Sequence, residues 1–364
     1  MRGAPVRNFG WFAVCVAATG ISGQAVPRAA ASRDRAITFL NAQPVLGMPL
    51  EGTRQFGVCS SDGTTYFDAS DTTGTTRVLD LYSVSTSGEV RRLQRRVPLE
   101  FSNVFKKDFF PAESSLVTLI EAQKRDDRDG RPRETQYYLA VSGHDGDGSQ
   151  ALALDLKFKP LKVAQFGSGE YLVLGWEEAN ELEELAVLKT DGTVRRFIDL
   201  DQPQAGPAPA ARVRETLDSL AGAAFVPFGS QVLLTFPGTV KPIWVVSDTG
   251  SRGAIQLEFP AGYLLHDVLS GSDYRTTVAR VQERVEAESS GKDEAAPPRQ
   301  RVFEFVTQTG KRLREFTFDN VPVSAVTCAA KNSLGAVFEQ PVGDSDGKAW
   351  LDGAKQLVVA TVRR

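Results

Sequence analysis

Two distant stretches spell the same hairpin, and that repeat limits the fold more than any other feature of the chain. Leu81–Leu93 reads LYSVSTSGEVRRL and Leu185–Phe197 reads LAVLKTDGTVRRF, so Gly88 falls on Gly192 and Val-Arg-Arg follows in both. Variants occur at Val245–Gly250 (VVSDTG), Phe305–Gly310 (FVTQTG) and Val141–Gly148 (VSGHDGDG). Each is a β-rich run, a glycine turn and a second run. A further hairpin precedes several of them, at Val163–Gly175, Ala224–Phe236 and Val326–Glu339, so one unit holds four strands. Turn glycines 88, 148, 192, 250 and 310 lie 44 to 60 residues apart, and helical periodicity is nearly absent.

Four antiparallel strands repeating at that period are what a β-propeller blade requires. Six units are expected, near 55–98, 101–159, 161–200, 222–260, 262–319 and 321–364. Strands between neighbouring blades should be apolar on both faces, as in Leu116–Ile120, Tyr171–Leu174, Ile243–Val246 and Leu357–Ala360. Rim strands should alternate, as Leu152, Leu154, Leu156 and Phe158 do with Ala153, Asp155 and Lys157, and as Ile255, Leu257 and Phe259 do with Gln256 and Glu258. Separate β-sandwich domains are the alternative, but no linker divides the units.

The first 25 residues read as a secretory signal peptide: Arg2 and Arg7, an apolar stretch from Phe9 to Gly20, then Ser22, Gly23 and Ala25, with cleavage expected near 23–25. That stretch is too short to span a bilayer, which takes about 20 apolar residues. Cys15 lies inside it, after Phe12-Ala13-Val14, which do not form a lipobox. Residues 26–364 are expected to be one exported domain, periplasmic or extracellular and monomeric. Removing two arginines changes the net charge from −3 to −5, with no basic stripe for nucleic acid. Two cysteines remain, Cys59 and Cys328, an even pair that favours a disulfide in an exported protein. Two separate buried thiols are the other reading. The last unit is one strand short, and Ala36–Leu40 reads as a strand with no unit of its own, so it is expected to complete the last blade and close the ring. The cysteines fall at the ends of the first strands of units one and six, where a disulfide would clamp that seam.

With TSGEVRRL and TDGTVRRF as its best marks, the chain resembles the six-bladed β-propeller superfamily, similar in blade layout to NHL-type and TolB-like rings, over about residues 36–364. The resemblance implies a ring around a central channel. It implies little about ligand, because binding proteins, lactonases, dehydrogenases and scaffolds share this fold.

Function is expected on the face that carries the long connections 124–134, 201–222, 286–301 and 340–355. The first holds Arg128 and Arg131; within the second, Val213, Leu217 and Leu220 space a short helix ended by Gly222. Trp176 followed by Glu177, Glu178, Glu181, Glu183 and Glu184 suits stacking a sugar or docking a basic partner. Three acid-glycine clusters, Asp127/Asp129, Asp145/Asp147 and Asp344/Asp346, suggest calcium but lack the closing glutamate of a complete loop, so no cofactor is expected. His266 is a candidate ligand-binding residue on a channel-lining strand, although Asp267 should point to the opposite face and leave it unoriented. His144 reads as a solvated turn residue. No nucleophile elbow, free cysteine or zinc spacing is present, so no catalytic residue is assigned. The leading expectation is a non-catalytic binding module for a protein, peptide or glycan; the alternatives are a channel-metal hydrolase or lactonase and a structural component of the cell envelope.

Overall fold

The strands are punctuated by one recurring turn. At Ser60–Thr64, Ser85–Glu89, Phe166–Glu170, Lys189–Thr193 and Ser247–Ser251 the first N–H donates to the fifth carbonyl, and the fourth residue, always glycine, donates back to the first, at 2.8–3.1 Å. Those glycines have φ between +76° and +86°. A side chain there meets the left-handed penalty, so this three-residue hairpin loop fixes glycine at its fourth position and writes the repeat into the sequence.

The computed structural model describes residues 35–37, 41–44, 58–68, 78–85, 87–96, 103–125, 132–146, 148–199, 219–239, 241–269, 275–284, 298–318, 322–330, 333–341 and 355–363. Two short strands come first, β1 (Arg35–Ile37) and β2 (Asn41–Pro44). Four-stranded antiparallel sheets follow in chain order. The first is β3 (Val58–Cys59), β4 (Thr65–Asp68), β5 (Val78–Val84) and β6 (Val90–Arg96); the second is β7 (Asn103–Pro111), β8 (Leu116–Arg125), β9 (Pro132–Ser142) and β10 (Gln150–Leu154). The third is β11 (Lys159–Gln165), β12 (Tyr171–Glu177), β13 (Leu182–Leu188) and β14 (Val194–Ile198); the fourth is β15 (Ala224–Phe228), β16 (Gln231–Thr235), β17 (Ile243–Val246) and β18 (Arg252–Ile255). Next come β19 (Tyr263–Val268), β20 (Thr276–Glu283), β21 (Gln300–Val306) and β22 (Arg312–Phe318), to whose outer edge β1 adds in parallel. The last sheet is β23 (Val326–Ala329), β24 (Ser333–Pro341) and β25 (Lys355–Arg363), completed by β2. The protein is an all-β propeller of four-stranded antiparallel blades.

Each sheet packs on the next. Tyr66 and Leu81 meet Phe109 and Leu116; Leu119 and Leu139 share a core with Val163, Leu172 and Leu174, which continues to Phe225 and Leu234. Leu233 joins Leu265, Phe303 and Phe305, and Val278 joins Val326 and Leu334. Every residue of Leu116–Ile120 is fully buried, which explains the unbroken apolar run. Burying Phe303 or Phe305 completely contributes about 1.5–3 kcal/mol each. Between the last sheet and the first, Cys59 and Cys328 form a disulfide that closes the ring, with Cα atoms 5.6 Å apart. The Thr65 and Thr327 hydroxyls meet beside it at 3.0 Å.

Several expectations change. The closing strand is 41–44, not 36–40: the segment splits, residues 35–37 running along β22 and residues 41–44 along β25. The strap therefore covers the outer edges of two consecutive sheets. Rim strands stop early, at Leu154 and Ile255, while the alternating burial continues past them to Phe158 and Leu257. Apolar periodicity outlasts hydrogen-bonded pairing there because these residues still cover the core after the ladder ends. Of the helix expected around 213–222, only 219–222 falls among the described residues and is helical, with Leu220 fully buried. The implied central channel is not open throughout, since β15 comes within 8 Å, Cα to Cα, of both β3 and β7, strands of sheets that do not adjoin its own.

The turn glycines also carry the packing between blades. Gly192 sits over Ala153 and Leu152, Gly250 over Arg196, and Gly310 over Gln256, each on the outer side of the preceding sheet. A Cβ on Gly310 would lie 1.8 Å from the Gln256 carbonyl oxygen, at φ +68°, where the Gly310 carbonyl accepts from Glu258 N at 2.9 Å. Gly310→Ala is expected to lower stability by about 2–3 kcal/mol, read as an earlier urea midpoint with an unchanged slope. Gly148→Ala, with nothing within 4 Å, should lose only the smaller left-handed penalty.

Candidate functional site

Two places gather chemistry-bearing side chains, the β12–β13 hairpin and the inner edges of the sheets. In the hairpin, Trp176 stands opposite Glu183 and Glu177 opposite Leu182. Trp176 is only 6% exposed and belongs to the main core, which removes it as a stacking platform. An indole on a strand packed between blades is covered on both sides, and the flanking glutamates concealed that in the sequence. The carboxylates remain outside. Glu178 and Glu181 are exposed, Glu181 at φ 53°, and Asn180 Nδ2 donates to Glu177 Oε2 at 2.8 Å. Glu183 faces Lys241 at 3.7 Å. Burial and then the charge of Glu177 push the Glu184 carboxyl above its usual range. Burial, then the charges of Glu121 and Glu178, push the Tyr137 phenol up to about 12. The hairpin thus gathers five carboxylates, of which Glu178 and Glu181 are exposed and Glu183 faces a cation.

At the inner edges, β7, β11, β19 and β23 each carry a bulge after which pairing shifts by one residue, leaving Lys107, Leu161, His266 and Thr327 as the extra residues. A bulge turns consecutive side chains toward one side. That corrects the expected separation of His266 from Asp267: His266 Nδ1 lies 3.5 Å from Asp267 Oδ1. Asp267 is itself fixed by Arg280, whose Nε donates to Oδ1 at 3.0 Å and whose second nitrogen donates to Oδ2. The remaining guanidinium nitrogen donates to the carbonyls of Val323, Ser324 and Val326 at 3.2, 2.7 and 3.1 Å. At the matching position of β7, Asp108 accepts from Val163 N at 2.8 Å and lies 3.9 Å from Lys162 Nζ. Burial pushes the Asp108 carboxyl up, against the opposing pull of Lys162.

Lys106, beside it, is pushed down to about 8 by burial, with Asp108 opposing. Below pH 8 the folded protein holds a desolvated ammonium that the unfolded chain would hydrate, so the charge costs stability there. The cost fades between pH 8 and 10.5, as the unfolded amine also loses its proton. Lys106→Met is therefore expected to raise the melting temperature by about 2–5 °C at pH 7 and by much less near pH 10.5, as thermal melts at the two pH values would show.

His144 is not a solvated turn residue. Its Nε2 lies 2.9 Å from the Ala112 carbonyl and so donates, which leaves Nδ1 to accept the Tyr66 hydroxyl at 2.7 Å. The imidazole pins the first sheet to the second. Arg280, Asp108 and the Tyr66–His144 bond were missed in the sequence. A detectable signal existed for two of them: Arg280 interrupts the apolar run Val278-Ala279-Arg280-Val281, and Asp108 stands just before Phe109-Phe110. A charge inside a strand buried on both faces is rarely unpaired.

Arg128, Arg131 and most of the connections 201–222, 286–301 and 340–355 lie outside the described residues, as do Asp127, Asp129, Asp147, Asp344 and Asp346. At the base of the loop 124–134, Lys124 pairs with Glu134 at 3.3 Å. Among the described residues no group of three or more His, Cys, Asp or Glu could hold a metal ion, and no helix is long and apolar enough to cross a membrane.

No protein-family model matches the chain, and no curated protein matches it significantly. Solved structures do. A chain of a mitotic checkpoint complex aligns over 99% of both chains at 10% identity and a TM-score of 0.40. An oligogalacturonate lyase in complex with manganese aligns over 84% of this chain and 76% of its own at 14% identity and 0.40. A DUF4221 family member from Bacteroides vulgatus aligns over 90% and 98% at 7% identity and 0.40. Likeness at this level carries no information about activity.

Proposed function

We propose that the chain is an exported propeller of six blades, laid out as in NHL-type and TolB-like rings, that binds a positively charged protein or peptide without turnover. The acidic β12–β13 hairpin supports this reading: Glu178 and Glu181 are exposed next to Glu177, and burial together with the charge of Glu177 raises the Glu184 carboxyl. Carboxylates that repel one another gain when a cation arrives, and an exposed acidic rim of this kind sets association rate and salt dependence. A glycan is less favoured because Trp176 is buried. The six-blade reading is supported by the successive sheets, each packed on the next, and by the disulfide between the first and the last. Export is supported by that disulfide.

The test is calorimetric titration with decalysine at low and moderate salt. The parent protein is expected to bind, with affinity falling as salt rises. The triple variant Glu177→Gln, Glu178→Gln, Glu181→Gln is expected to bind about tenfold more weakly, about 1.4 kcal/mol. No binding by the parent, or equal binding by the variant, overturns the reading.

A further inference from the structure

The outer edges of the sheets are where this fold accepts an added strand. β22 and β25, of seven and nine residues, carry β1 and β2 along theirs. The other outer strands are β10, β14 and β18, of five, five and four residues, and β6, of seven. β6 therefore has the longest outer edge that no strand covers among the described residues. Its pairing with β5 is regular from Val90 to Arg96, so every second residue turns its N–H and C=O away from the sheet. The same strand, Val90–Arg96, reads VRRLQRR, four arginines and no acid in a chain whose net charge is −3. Arg91 and Arg92 are exposed. The repeat of this motif in β14 shows the arginines serving the ring: Arg195 bonds the Glu170 carboxylate at 2.6 and 2.8 Å, and Arg196 donates to the Thr249 carbonyl of the next sheet. In β6, Arg91 instead pairs with Glu89 two residues away at 2.8 Å, with both side chains more than half exposed, at 68% and 57%. An incoming carboxylate replaces such a surface pair at little cost. Arg92 lies over the Tyr82 ring, 5.9 Å from its centre.

We propose that the outer edge of β6 is a docking site for an extended acidic peptide, which adds to the first sheet as a further strand. Main-chain hydrogen bonds along the edge supply affinity, and side chains at alternate positions supply specificity. The occupant follows from charge. A second copy of β6 would set four arginines against four, and like charges opposite one another destabilise a strand pair, so the edge does not fit itself. Consecutive residues of a strand face opposite sides, so Arg91 and Arg92 put a cation on each face of β6 and meet carboxylates carried on either face of the added strand. A nucleic acid would use those charges but not the row of N–H and C=O groups between them. The site lies on the first sheet, is opposite in charge to the β12–β13 hairpin, and does not depend on the binding role proposed there.

The test is fluorescence anisotropy of labelled acetyl-Glu-Val-Glu-Val-Glu-Val-amide titrated with the protein. The parent protein is expected to bind it, and the double variant Arg91→Gln, Arg92→Gln to bind about tenfold more weakly. The same peptide with lysine in place of glutamate, and the glutamate peptide with every backbone amide N-methylated, should each lose at least about tenfold, the first through charge and the second through the lost main-chain bonds. The triple glutamine variant of Glu177, Glu178 and Glu181 should bind the acidic peptide as the parent does, which separates this edge from the hairpin. No binding by the parent, or equal binding by the double variant, overturns the proposal. Equal binding of the methylated peptide overturns strand addition without any variant needing to fold, and binding of octathymidylate as tight as that of the peptide overturns the assignment of partner class.

Discussion

Replacing Arg280 with alanine is expected to remove about 3–5 kcal/mol of folding stability. Arg280 is 7% exposed, and its guanidinium bonds Asp267 and the carbonyls of Val323, Ser324 and Val326. Those carbonyls belong to or flank the short 3₁₀ turn Val323–Ala325, which leads into β23. One side chain of the fifth sheet therefore holds the entry to the sixth. Alanine would leave the Asp267 carboxylate without its cation and three carbonyls without a donor. Asp267→Ala removes the stranded charge, so the double variant should be less destabilised than the sum of the two single changes, a coupling readable in urea titrations. A loss below about 1 kcal/mol for Arg280→Ala is the value of an exposed pair and would contradict the clamp.

The second large effect concerns the seam. Replacing Cys59 and Cys328 together by serine is expected to cost about 4–5 kcal/mol, because the cross-link closes a loop of about 270 residues in the unfolded chain. Both cysteines are buried, at 5% and 0% exposure, so reduction of the native protein should be slow and should speed up only as it unfolds. Calorimetric melts of the parent protein with and without a phosphine reductant measure the same quantity. If melting is unchanged after full reduction, β2 and the core between sheets hold the ring without it.

The fold was legible where the chain must satisfy a backbone demand. Five turns of one hydrogen-bonding pattern require a left-handed fourth residue, so glycine marks them, and three of these marks, Gly88, Gly192 and Gly250, are among the glycines from which the period of the blades is counted. The cysteine pair was legible because its positions at matching strand ends are meaningful only in a closed array. The site was less so. Whether Trp176 is a platform or core depends on what the next sheet lays over it, and adjacent glutamates look the same in either case. His266 and Asp267 were assigned to opposite faces by the two-residue period of a strand, which holds only where pairing is regular. The bulge shows only in pairing, where Leu265 and Asp267, not His266, take consecutive partners. His144 looked solvated because its partners, Tyr66 and Ala112, are 78 and 32 residues away.

The most direct test of the closed ring is mass-spectrometric peptide mapping of the protein, unreduced and alkylated. A single cross-linked peptide pair joining Cys59 to Cys328 within one chain is the expected result. Alkylated thiols at both positions, or the same cross-link between two chains, would contradict the closed ring.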